Sequence, residues 1–158
     1  MIYQRGPMRE LVATHDSKAT PESVWTVLTD LDSAAENISA IQKVERLDDS
    51  GGFDIGTSWR ETRTMFGKTA TEDMTVTEID PGRSYTTAAE SHGAKYRSTH
   101  SVEPIEGGSR ISMAFGAEPT SVFARIFAMT IGRLFDNATR KAIVKDLEEI
   151  SAAAEGAS

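Results

Sequence analysis

The chain has 158 residues, enough for one domain with a sizeable core, and no cysteine, which removes disulfides, thiolate catalysis and thiolate metal ligation. Its 17 basic and 24 acidic residues leave a net charge of −7 with no Lys/Arg cluster to offset it, arguing against a nucleic-acid or anionic-membrane surface. No apolar run approaches the ~18 residues of a membrane span and no basic-then-apolar leader opens the chain, so a soluble, cytoplasmic protein without stable membrane insertion is expected.

In chain order, residues 1–8 read as a loosely attached arm and 9–155 as a single domain. Residues 9–17 read as a first strand. Thr20-Pro21-Glu22-Ser23 is a helix start, with Thr20 as cap, Pro21 in the first turn and Glu22 at the positive end. Val24, Trp25, Val27 and Leu28 give that helix a buried face, and a second short helix is expected near Ser33 to Ile38. From Ile41 onward, strand-like segments are punctuated by Ser50-Gly51-Gly52, Phe66-Gly67, Pro81-Gly82, His92-Gly93 and Gly107-Gly108. Turns at that spacing mean hairpins and an antiparallel meander.

Two-residue loops at the last four of these turns predict a register. Trp59 falls opposite Met74, Met74 beside Ala89, and Ala89 beside Tyr96; Thr57, Val76, Thr87 and Ser98 form one row, and Val102 faces Met113. The opposite face receives Arg60 with Asp73, Thr62 with Thr71, Thr64 with Thr69, and Glu90 with Lys95, which suits solvent. The inward face also takes Glu61, Arg63 and Glu72, with Glu61 opposite Glu72, and a row of Glu78, Tyr85, His100 and Phe115. A filled core does not tolerate so many ionisable groups without partners, whereas a cavity does.

From about Pro119 to Glu155 the sequence supports one helix of over 30 residues, roughly 50 Å long. Pro119 suits its first turn. Phe123, Phe127, Ile131, Leu134, Ala138, Ala142, Ile143, Leu147 and Ile150 recur at helical spacing. Between Val122 and Phe135 only Arg125 and Arg133 are charged; Lys141, Lys145, Asp146, Glu148 and Glu149 give the later half a solvated face. The first half therefore faces something besides its own core, either a ligand cavity or a partner.

The strand running into Ala19-Thr20-Pro21-Glu22-Ser23-Val24-Trp25, the Val76-Thr77-Glu78-Ile79-Asp80-Pro81-Gly82-Arg83 strand end, and Val102 to Ile111 resemble the START-related, polyketide cyclase/dehydrase and lipid-transport superfamily, that of the birch-pollen allergen. The resemblance implies an α+β helix-grip fold, in which a seven-stranded antiparallel sheet curls around the C-terminal helix with two short helices after the first strand. It also implies a hydrophobic cavity for a lipid, polyketide or similar molecule. The family shares no catalytic motif, so none is carried over.

Each candidate group has two readings. Glu61 and Glu72 share a proton and supply a general acid, or Arg63 neutralises them in an ion-pair cluster. His100 with Tyr85 and Glu78 forms a proton-transfer row, or it is a satisfied interior histidine. Trp59, Met74, Tyr96, Ser98, Phe115, Phe127 and Ile131 wall a cavity or fill a core. Phe123 and Phe127 otherwise offer a homodimer contact or a lid. His15, His92 and His100 lack metal spacing, and no glycine-rich phosphate loop or serine elbow is present, so no metal and no cofactor are expected. The leading expectation is carriage of a small hydrophobic molecule; the alternative is a cofactor-free polyketide cyclase, aromatase or dehydratase using Glu61, Glu72, Tyr85 and His100.

Overall fold

A computed structural model describes residues 10–65, 67–91, 94–119 and 122–157, with side chains except at 91, 119 and 122–135. The order is β1 (Glu10–Ser17), α1 (Pro21–Thr29), α2 (Ala34–Asn37), β2 (Ile41–Arg46), β3 (Ser58–Met65), β4 (Lys68–Asp80), β5 (Ser84–Ser91), β6 (Ala94–Ile105), β7 (Gly108–Pro119) and α3 (Val122–Gly156). The strands form one antiparallel sheet, β1-β7-β6-β5-β4-β3-β2, gripping α3. No helix among the described residues is long and apolar enough to cross a membrane.

α1 starts where the capping residues place it. The Thr20 hydroxyl accepts from the Ser23 N–H at 3.2 Å, and Pro21 fills the first turn, where a missing N–H costs nothing. The helix buries Val24 and Leu28 against Ile143, Leu147 and Ile150 of α3 and Ile111 of β7. Val24, Ile111 and Leu147 are fully buried, so this end of the molecule is a dry core. Gly108 brings β7 close beneath β1: a Cβ there would lie 1.9 Å from the Ser17 carbonyl oxygen, a contact no side chain survives.

The hairpins bear out most of the expected register. Trp59 pairs with Met74, Glu61 with Glu72, Ala89 with Tyr96, Thr87 with both Val76 and Ser98, and Glu90 with Lys95. On the outer face, Arg60 and Asp73 form a 2.8 Å ion pair and Thr62 meets Thr71 at 3.0 Å. The turns after Met65 and Ser91 close on Lys68 and Ala94; Phe66, His92 and Gly93 lie outside the described residues.

Four expectations are corrected. The last hairpin turns at Glu106-Gly107, with Gly107 at φ +82°, so Val102 faces Ile111 and Met113 faces His100. That shift is two residues, and with a side-chain period of two every residue keeps its face. At the β4–β5 hairpin the loop takes three residues, Pro81 to Arg83, and a bulge between Val76 and Glu78 absorbs the odd residue. Glu78 is thereby turned outward, where it pairs with Arg97 at 3.2 Å, and Ile79 takes its place opposite Tyr85. Pro119 ends β7 opposite Ala94, and the helix begins only at Val122. Proline is tolerated at such a strand end. Asp146 does not belong to a solvated face; it is buried. Phe123, Phe127 and Ile131, and with them the dimer or lid reading, fall outside the side chains described.

Candidate functional site

Between the concave face of the sheet and α3 lies a cavity of about 320 Å³. Alternation along each strand decides what enters it: Trp59, Glu61, Arg63 and Met65 from β3, Ala70, Glu72 and Met74 from β4, Tyr85 and Thr87 from β5. β6 contributes Tyr96, Ser98 and His100, and β7 contributes Met113 and Phe115. α3 supplies Thr139, Ala142, Ile143, Asp146 and Ile150, which recur at helical spacing and so share one face. Val27 and Leu28 of α1, then Leu31, Ala34 and Ile38, close one end. That end is fastened to α3 by Glu149, whose two carboxylate oxygens accept from the Ser39 N–H and hydroxyl, each at 2.7 Å.

The charged groups are organised around Arg63. Its Nε donates to Glu61 at 3.0 Å and its Nη1 to Asp146 at 2.7 Å, so one guanidinium bridges sheet and helix. The second oxygen of Glu61 accepts from the Trp59 indole N–H at 3.2 Å. Burial pulls the Arg63 guanidinium down, but Asp146 and Glu61 together outweigh it and hold it above its ordinary value. Burial pushes the Asp146 carboxyl up, against the pull of Arg63. Glu72 stands opposite Glu61, and after burial its charge is the second cause raising the Tyr96 phenol.

A second cluster is aromatic. Tyr85 stacks on His100 at 5.1 Å between ring centroids and meets Phe53 and Trp25 edge-on. Its hydroxyl donates to the Leu28 carbonyl at 3.3 Å, and burial raises its phenol well above the ordinary value. Burial, with the Arg63 charge adding to it, lowers the His100 imidazole to about 4, so this histidine is neutral at neutral pH. Tyr96 stacks on Phe115 at 5.8 Å.

Ten of the twelve sequence-derived ligand candidates therefore line one cavity: Trp59, Glu61, Arg63, Glu72, Met74, Tyr85, Tyr96, Ser98, His100 and Phe115. The other two, Phe127 and Ile131, are outside the described side chains. Glu78, proposed as the partner of His100, is on the outer face, because the bulge reverses its direction. Sequence reasoning missed Asp146 and Thr139. Their signal was there, since positions 139, 142, 143, 146 and 150 follow the same helical stripe. Among the described residues, no three His, Asp or Glu groups cluster as a metal site.

The sequence pattern described as "Polyketide cyclase / dehydrase and lipid transport" matches residues 8–155. The chain belongs to that family. Among solved structures, family-like folds recur at low identity. The ZhuI aromatase/cyclase from Streptomyces sp. R1128 superposes with a TM-score of 0.77 at 16% identity, covering 94% of each chain. TTHA0849 from Thermus thermophilus gives 0.78 at 19% identity, covering 95% of this chain and 99% of the other. Ginseng major latex-like protein 151 from Panax ginseng gives 0.76 at 13% identity, covering 93% and 97%. At these identities the likeness is one of fold. No curated protein matches by sequence.

Proposed function

We propose that this family member binds a small, largely hydrophobic molecule in the cavity and carries it chemically unchanged. One observation carries the reading: of the groups best suited to acid–base chemistry, Glu61 and Tyr85 are already committed to the protein and His100 lacks its expected partner. Arg63 is held by Glu61 and Asp146, the Tyr85 hydroxyl is given to the Leu28 carbonyl, and His100 has lost its expected carboxylate partner to the outer face. What stays open is space, walled by Leu31, Ile38, Met74, Met113 and Phe115. A pocket of a few hundred cubic ångströms with apolar walls and few polar groups is the ordinary form of a small-molecule site.

Native mass spectrometry of gently purified protein, before and after denaturation, tests this. A discrete added mass, recovered unaltered, is the expected result. Recovery of a cyclised or dehydrated product from a supplied linear poly-ketone would favour the second reading, a cofactor-free cyclase or dehydratase. That reading draws on a neutral His100 stacked on Tyr85, an imidazole able to take a proton. It requires that His100→Leu abolish conversion while the supplied compound still binds.

A further inference from the structure

Four buried side-chain polar atoms among the described residues lack a hydrogen-bond partner, and three belong to residues lining this cavity: Thr87 Oγ1, His100 Nδ1 and Thr139 Oγ1. The fourth, Arg46 Nε, is elsewhere and lies 3.3 Å from Asp48 Oδ1. Thr87 and Thr139 are only 2% and 3% exposed, so bulk water does not serve them. Buried threonines away from the cavity behave differently. Thr57 Oγ1 accepts from the Asp54 N–H at 2.9 Å, and Thr86 pairs with Thr99 at 2.9 Å. Buried polar groups are nearly always satisfied, and a local concentration of exceptions asks for a missing partner.

Two of the exceptions are neighbours, and the third lines the same cavity. Thr87 sits opposite Ser98 and Tyr85 opposite His100, so Thr87 and His100 are diagonal neighbours on the concave face. Thr139 reaches the same cavity from α3. The unused capacity is two hydroxyls, each able to donate or accept, and one imidazole nitrogen. None of it carries charge at neutral pH, since His100 is held neutral. Among the described cavity residues the cation is Arg63, and it already faces two carboxylates.

We propose that Thr87, His100 and Thr139 form a subsite for an uncharged oxygen, a hydroxyl or ketone, on an otherwise apolar ligand, and that it discriminates against carboxylate-ended molecules such as fatty acids. The subsite rests on the carrier reading above, whose cavity it gives a polar pole. A carboxylate brought there would gain hydrogen bonds, but the cation whose charge reaches His100, Arg63, is already shared by Glu61 and Asp146.

Calorimetric titration at neutral pH with four probes of one shape tests it: 2-naphthol, 2-acetylnaphthalene, 2-methylnaphthalene and 2-naphthoate. The two neutral oxygen compounds should bind about tenfold tighter than the other two, the worth of a hydrogen bond to an otherwise unpaired group. Thr87→Val and Thr139→Val should each lower the ratio of 2-naphthol to 2-methylnaphthalene affinity about three- to tenfold. Their melting temperatures should hold or rise, because no internal hydrogen bond is lost. Equal binding of 2-naphthol and 2-methylnaphthalene overturns the subsite and leaves the cavity reading standing. So does an unchanged ratio in both variants with a melting temperature several degrees lower, which would assign the hydroxyls to a fixed internal water. If none of the four probes binds, the carrier reading falls and the subsite with it.

Discussion

Two sides of the described part of α3 present opposite solutions to the same problem. Toward the C-terminus, Leu147 and Ala154 close with Val24 and Ile111 into a dry core, and the buried polar groups beside them are paired. The Ser109 hydroxyl donates to the Ala19 carbonyl at 2.9 Å, and Ser17 Oγ accepts from the Ala19 N–H at 3.1 Å. Glu155 accepts from the Lys18 N–H at 2.9 Å and from Ser17 and Ser151. On the cavity side, Thr139 and Asp146 of α3 line the open space, and three polar atoms of its lining lack partners. Complete pairing marks the part of the fold that holds itself together. Incomplete pairing marks the part that is finished by something else.

The largest test breaks the dry end. Leu147→Ala should cost about 2–5 kcal/mol, because a fully buried leucine leaves a void that its rigid neighbours cannot fill. Urea unfolding monitored by circular dichroism would show it, and a loss under ~1 kcal/mol would mean that this end is as loosely packed as the cavity. Next is the charged bridge. Arg63→Met should destabilise by about 3 kcal/mol, since Glu61 and Asp146 are left facing each other in a half-buried site. Adding Asp146→Leu should recover most of that loss; no recovery would show that Arg63 acts by packing rather than by charge.

The smallest effect is a pH dependence. His100 is lowered in the fold to about 4 from an ordinary 6.5, so the unfolded chain binds more protons between those values. Stability from keeping it neutral is then complete above about pH 6.5 and is lost as pH falls toward about 4, up to roughly 2–3 kcal/mol. Asp146 works in the opposite sense, because its raised carboxyl favours the fold as pH falls. His100→Leu should therefore flatten the decline in melting temperature between about pH 6.5 and pH 5. An unchanged profile would show that the histidine is solvated from the cavity.

Much of this was legible in the sequence because strands repeat every two residues. Tyr85, Thr87, Ser98, His100, Met113 and Phe115 face the cavity whichever even shift the pairing adopts, which is why misplacing the last turn by one residue, a pairing shift of two, left every face intact. Glu78 shows the limit of that logic. A single extra residue accommodated as a bulge reverses a side chain, and whether a hairpin bulges depends on how its loop closes against the rest of the sheet. Asp146 shows another. Its helical position is shared with Thr139, Ile143 and Ile150, yet a carboxylate on that stripe reads as solvent-facing until a cation is known to oppose it. The partner, Arg63, is 83 residues away and arrives only when the sheet curls round the helix. Periodicity and turn chemistry were thus sufficient for the sheet, the helix and the cavity wall. Which inward charges cancel and which polar atoms stay unpaired was decided by tertiary packing, because both depend on distances between residues remote in the chain.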